Sequence, residues 1–129
     1  LEIRGYGVRT FDLNQFKHLE YLDADNIRSM VEMEGLANHP TLRALTLYNC
    51  EVLRSLGPAA PNQKLEFLDF DSCPMLLDLS VFDQASGLTD IEITRCDALK
   101  GPLQFLKTST PKEVNISRNA NLPDQRFEN

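Results

Sequence analysis

The sequence predicts an α/β solenoid, a stack of short parallel strands, each followed by a turn-rich return. Two observations carry the prediction. One pattern of apolar residues recurs every 23 positions through most of the 129-residue chain. Within each recurrence a short segment alternates apolar and polar side chains, the period of a strand with one buried face. With 42% apolar residues the chain can bury a core, and its length fits one domain.

The register is strict. Leu42, Leu45, Leu47, Cys50 and Leu53 read L-x-x-L-x-L-x-x-C-x-x-L. The same spacing returns at Leu65, Leu68, Phe70, Cys73 and Leu76, then at Leu88, Ile91, Ile93, Cys96 and Leu99, then at Pro111, Val114, Ile116, Asn119 and Leu122. One step back gives Leu19, Leu22, Ala24, Ile27 and Met30. A partial first unit opens the chain, where Leu1, Ile3 and Tyr6 lead Leu22, Ala24 and Ile27 by a slightly shorter step. A lone strand of this kind cannot bury its apolar face, whereas stacked neighbours make one continuous core. Parallel neighbours each require a return segment. Met33, Leu56 and Leu79 form one apolar column of the returns, and Leu36, Ala59, Phe82 and Phe105 the next. Pro58, Pro61, Pro74 and Pro102 interrupt regular structure there, so short helical or 3-10 turns are expected.

These residues resemble the leucine-rich repeat pattern L-x-x-L-x-L-x-x-[NC]-x-L, closely over residues 19–122 and loosely over 1–18. The spacer is one residue longer here, as between Cys50 and Leu53, and Ile27 and Pro111 depart from the pattern. Arrays with cysteine at the ninth position are similar to those of cytoplasmic plant immune receptors and F-box-type adaptors, and some secreted bacterial effectors carry comparable ones. The resemblance implies a horseshoe segment of about five 23-residue repeats plus a partial first one. It places the parallel sheet on the concave face, which leucine-rich repeat proteins commonly use for binding, and the returns on the convex face. Neither end reads as a cap, since Leu1 and Ile3 open the chain and the tail Asp124–Asn129 is short and polar. The expectation is a single domain excised from a larger protein, with both sheet edges open.

Cys50, Cys73 and Cys96 recur with the period of the repeat and so share one column of the stack. Zinc sites use four ligands at close spacings such as C-x-x-C, and none occurs here. His18 and His39 stand in other columns without ligand-pair spacing. The cysteines therefore read as a structural ladder of small buried side chains at the strand exit, continued by Asn119. Evenly spaced buried thiols in an odd number suit a reducing compartment, so a cytoplasmic setting is expected, or a host cytosol for a secreted effector. Asn115-Ile116-Ser117 matches a glycosylation sequon, which carries no meaning in such a compartment.

Strand side chains that alternate with the buried leucines point to the open face of the sheet. The fifth column of the repeat reads Glu2, Asp23, Thr46, Asp69, Glu92 and Asn115; the seventh reads Arg4, Asp25, Tyr48, Asp71, Thr94 and Ser117. The third reads Tyr21, Ala44, Phe67, Asp90 and Glu113, and the eighth ends in Ser72, Arg95 and Arg118. Residues 65–94 hold seven acids and no Lys or Arg, whereas residues 95–129 carry six bases against four acids. The expected surface is acidic in the middle of the array and mildly basic towards its C-terminal end. It suits a basic protein partner, with Tyr21, Tyr48 and Phe67 as aromatic anchors among Asp23, Asp25, Asp69, Asp71, Asp90, Glu92, Arg95 and Arg118.

Other classes fit less well. A net charge of −6 disfavours nucleic-acid binding through phosphates, and no apolar run approaches a membrane span. The Asp23-x-Asp25 and Asp69-x-Asp71 pairs lie two strands apart, about 9–10 Å, too far to grip one ion. Asp69 and Glu92 on an open sheet have no water-excluding cleft in which to act as general acid and base. Gly5-Tyr6-Gly7 lacks the rest of a phosphate-binding loop. The expectation is a non-catalytic recognition module without metal or cofactor. It would select targets for the flanking domains of its parent chain, as in an immune receptor, effector or ubiquitin-ligase adaptor. The alternative is an intramolecular clasp on a basic domain of the same polypeptide.

Overall fold

A computed structural model of the chain describes residues 1–5, 7–59 and 64–128 and is a parallel-sheet solenoid of about five turns. Tyr6 of the first unit, Pro61 of the returns and Asn129 of the tail lie outside the described residues. The strands are β1 (Glu2–Arg4), β2 (Thr10–Asp12), β3 (Tyr21–Asp25), β4 (Glu32–Glu34), β5 (Ala44–Tyr48), β6 (Phe67–Asp71), β7 (Asp90–Thr94), β8 (Glu113–Ser117) and β9 (Gln125–Glu128). Seven of them form one sheet in the order β1-β3-β5-β6-β7-β8-β9.

The sequence period is the register of the ladder: Leu22, Leu45, Leu68, Ile91 and Val114 are successive partners, as are Ala24, Leu47, Phe70, Ile93 and Ile116. The shorter first step holds too, pairing Ile3 with Ala24. All these residues from Leu22 onward are buried, and so are Met30, Leu53, Leu76, Leu99 and Leu122 in the column beyond the strands. Phe70 fills a position that holds Ala24 two strands away, and its ring packs 6.0 Å from Phe82, which meets Phe105 edge-on at 6.2 Å. These three rings thicken the core between sheet and returns.

The returns contain 3-10 turns at Leu13–Gln15 and Ser80–Phe82 and one short helix, α1 (Phe105–Thr108). The first two returns also hold a feature the pattern did not predict, a second parallel pair of β2 with β4, extended by a bridge from Glu32 to Ser55. Ala59 departs from its column: it is exposed, whereas Leu36, Phe82 and Phe105 are buried. Gly57 at φ +88° redirects the chain just ahead of it, and Pro58 then fixes the next backbone angle.

Polar side chains tie two of the returns to the one before. His39 Nε2 lies 2.8 Å from the Phe16 carbonyl, while Nδ1 accepts from the Leu42 amide at 3.0 Å. Ser109 donates to the Ala85 carbonyl at 2.7 Å and accepts from the Leu88 amide at 3.2 Å.

The tail corrects the expectation that the sheet edge at this end lies open. β9 turns back and pairs antiparallel with β8, matching Ile116 to Gln125 and Glu113 to Glu128. Backbone groups supply that pairing, so a polar segment covers the edge as well as an apolar one.

Candidate functional site

The register sets the predicted columns side by side on the open face of the sheet, and β9 extends them. Glu128 joins the third column beside Glu113, and Arg126 joins the fifth beside Asn115. Tyr21 and Phe67 are 53% and 41% exposed, with the small Ala44 on the strand between them, so both rings stand clear of the core. Tyr48 differs. It donates its hydroxyl to Asp69 across the β5–β6 pair and is partly covered. That bond and then burial push its phenol far above the usual range, so it stays protonated.

The acids divide by column. In the seventh, Asp25 has Arg4 at 4.0 Å and Asn49 at 3.4 Å. Asp71 accepts Arg95 Nη2 at 2.6 Å and Nε at 2.9 Å, and that forked bond holds its carboxyl below the usual range. In the third and fifth columns Asp69, Asp90, Glu92, Glu113 and Glu128 have no basic partner among the described residues. Asp69 is the register partner of Glu92, an unfavourable like-charge pair. Burial raises the Asp69 carboxyl, opposed by the Tyr48 bond and reinforced by Asp71 and Asp23. Burial, Asp69 and Asp71 raise Glu92. One oxygen of Asp23, Oδ1, is buried without a hydrogen-bond partner.

This arrangement revises the charge map. The acidic patch continues onto the C-terminal strands through Glu113 and Glu128, and together with Phe67, Asp69, Asp90 and Glu92 they line a cleft of about 450 Å³. The bases gather instead towards the exit ends of the same strands, where Arg95, Arg118 and Arg126 line a hollow of about 210 Å³ with Asp71. Polarity therefore runs along the strands as well as along the stack. Glu113 was visible in its column, and Glu128 and Arg126 become site residues only through the reversal of β9.

Cys50, Cys73 and Cys96 are all buried. Cys73 donates towards the Leu47 carbonyl at 3.5 Å and Cys50 towards that of Ala24 at 3.9 Å, each reaching 26 residues back. Asn119 makes the same reach to Ile93 at 3.0 Å and accepts the Cys96 amide at 2.8 Å. Sharing its hydrogen bonds with Cys50 and Cys96, and buried besides, Cys73 has its thiol pushed far up, the opposite of an activated nucleophile.

Among the described residues no group of three or more His, Cys, Asp or Glu side chains is placed to hold a metal ion, and no helix is long and apolar enough to cross a membrane. No family model matches the chain, nor does any curated protein or solved structure.

Proposed function

We propose that this chain is a non-catalytic recognition module of leucine-rich repeat type whose open sheet face docks a basic protein surface. The observation that carries the proposal is the set of five carboxylates, Asp69, Asp90, Glu92, Glu113 and Glu128, gathered beside the exposed Phe67 with no base among the described residues to neutralise them. Such a field attracts a cationic partner and speeds its encounter, while an aromatic ring supplies desolvated contact area. Tyr21 extends the apolar contact on the other side of Ala44. In a larger polypeptide the module would select the target on which neighbouring domains act, as in an immune receptor, an effector or a ubiquitin-ligase adaptor. The buried thiol column fits a reducing compartment such as a cytosol.

The test immobilises the purified chain and compares its captured proteins with those of a Glu92→Lys plus Glu113→Lys double variant. Both side chains are exposed, so the fold should survive, and circular dichroism checks this. A basic protein held by the original, weakened by added salt and lost in the variant supports the reading. Equal capture by both refutes it.

A further inference from the structure

We infer that the cleft beside Phe67 is a socket for an arginine side chain. This rests on the docking face proposed above and states which group of the partner that face reads. Three observations point to arginine.

The first is the wall. The exposed Phe67 ring borders the cleft, and its register partner on the next strand is Asp90, followed by Glu113 and Glu128. A cation on the ring face therefore lies about one strand spacing, ~4.8 Å, from the strand that carries Asp90 and Glu92. A flat guanidinium stacks on such a ring and still directs its N–H groups sideways, whereas an ammonium is a compact, strongly hydrated charge.

The second is the spacing of acceptors. Asp69 faces Glu92 and Asp90 faces Glu113 across adjoining strands, so two carboxylates are available to one fork of donors. The chain already forks its own arginines onto carboxylates, one carboxylate to each arginine. Arg95 reaches back one strand to place Nε and Nη2 on Asp71, and Arg43 reaches forward to place the same two nitrogens on Glu66 at 3.2 and 2.7 Å.

The third is vacancy of charge. Among the described residues no Lys or Arg lines the cleft. The nearest bases by register, Arg126 and Arg118, line the neighbouring hollow with Arg95, Asp71 and Glu92, so of the cleft's carboxylates only Glu92 borders them. The cation that completes the site comes from outside the chain.

The test titrates isotope-labelled protein with two seven-residue glycine–serine peptides, one with a central arginine and one with a central lysine, and follows amide shifts by NMR. The expected result is shifts concentrated in residues 67–69, 90–92 and 113–115, with the arginine peptide bound at least about threefold more tightly. Phe67→Leu keeps an apolar side chain but removes that ring, and should narrow the gap between the two peptides; Phe127, which also lines the cleft, remains. Asp90→Asn should weaken both peptides, and dispersed spectra verify that each variant is folded. Equal affinities unaffected by Phe67→Leu, or no shifts in these strands up to millimolar peptide, overturn the socket. If the salt-sensitive capture lost in Glu92→Lys plus Glu113→Lys persists alongside that result, the docking face stands and only the arginine reading falls. If that capture is absent too, both fall.

Discussion

Tyr48 donates its hydroxyl hydrogen to Asp69 on the adjoining strand, so a carboxylate in the middle of the acidic face is held by a phenol rather than by a base. Tyr48→Phe keeps the ring and leaves Asp69 partly buried with its donor gone. The loss should be about 1–2 kcal/mol at pH 7, read from urea unfolding. It should shrink in acid, because a protonated Asp69 no longer needs a donor to offset its charge. An equal loss at every pH would show that the ring's packing, and not the bond, had been disturbed.

Glu92 faces Asp69 and sits near Asp71, and its carboxyl is raised above the ordinary value of 4.5 by burial and by these two neighbours. A raised carboxyl means that the folded state binds its proton more readily than the unfolded chain does. That contribution favours the fold in acid and is lost as pH rises through the folded value. Asp69 acts in the same direction. Asp71 acts in the opposite one, since its bond to Arg95 is lost as pH falls below its ordinary value of 3.8 and on through its lowered folded value. Thermal stability should therefore rise as pH falls from 7 towards 4.5 and decline below 3.8. Glu92→Gln should raise the melting temperature at pH 7 and flatten the first limb while leaving the second intact. A melting temperature at pH 7 unchanged or lowered by Glu92→Gln contradicts the assignment.

Asn119 serves two repeats at once, accepting the Cys96 amide and donating to the Ile93 carbonyl. Asn119→Ala strands both buried backbone groups and should cost about 2–4 kcal/mol by chemical denaturation. Asn119→Cys restores the side chain used at the three preceding turns, and the loss should be clearly smaller. Equal losses for the two variants would mean that the thiols of Cys50, Cys73 and Cys96 act only as filler.

The columns of this fold were legible because two independent periods agree, 2 along each strand and 23 between strands, and together they leave one register. Hence Asp69 faces Glu92 as expected, and Phe67 stands exposed. Hydrophobic spacing is silent wherever pairing is made by backbone alone. Gln125–Glu128 carries a single apolar residue, Phe127, and Thr10–Asp12 and Glu32–Glu34 are too short to show a period. Pairing of charges was hidden for another reason. Arg95 neutralises Asp71 from the following turn because it leaves the strand at a bend and leans back over its neighbour. A tally of charges along the chain cannot separate the neutralised Asp71 from the unpaired Asp90.

That bend was itself written in the sequence, in the column that holds Arg95 and Arg118. Gly5, Asn26, Asn49, Ser72, Arg95 and Arg118 all take positive φ between 52° and 60° where each strand ends. The turn lets the amides of Asn26, Asn49 and Ser72 bond the next strand's Tyr48, Asp71 and Thr94 carbonyls at 2.8–3.0 Å. Glycine and asparagine adopt this conformation readily, while other side chains are strained in it. Arg118 is exposed and has no ion-pair partner among the described residues. Arg118→Gly should therefore relieve strain and raise stability by about 0.5–1 kcal/mol, even though glycine also loosens the unfolded chain. The same change at Asn49 should give no gain, because asparagine is already at ease there. A loss of stability in Arg118→Gly would mean that the arginine makes a compensating contact on the sheet face, and that it belongs with Arg95 as a structural base.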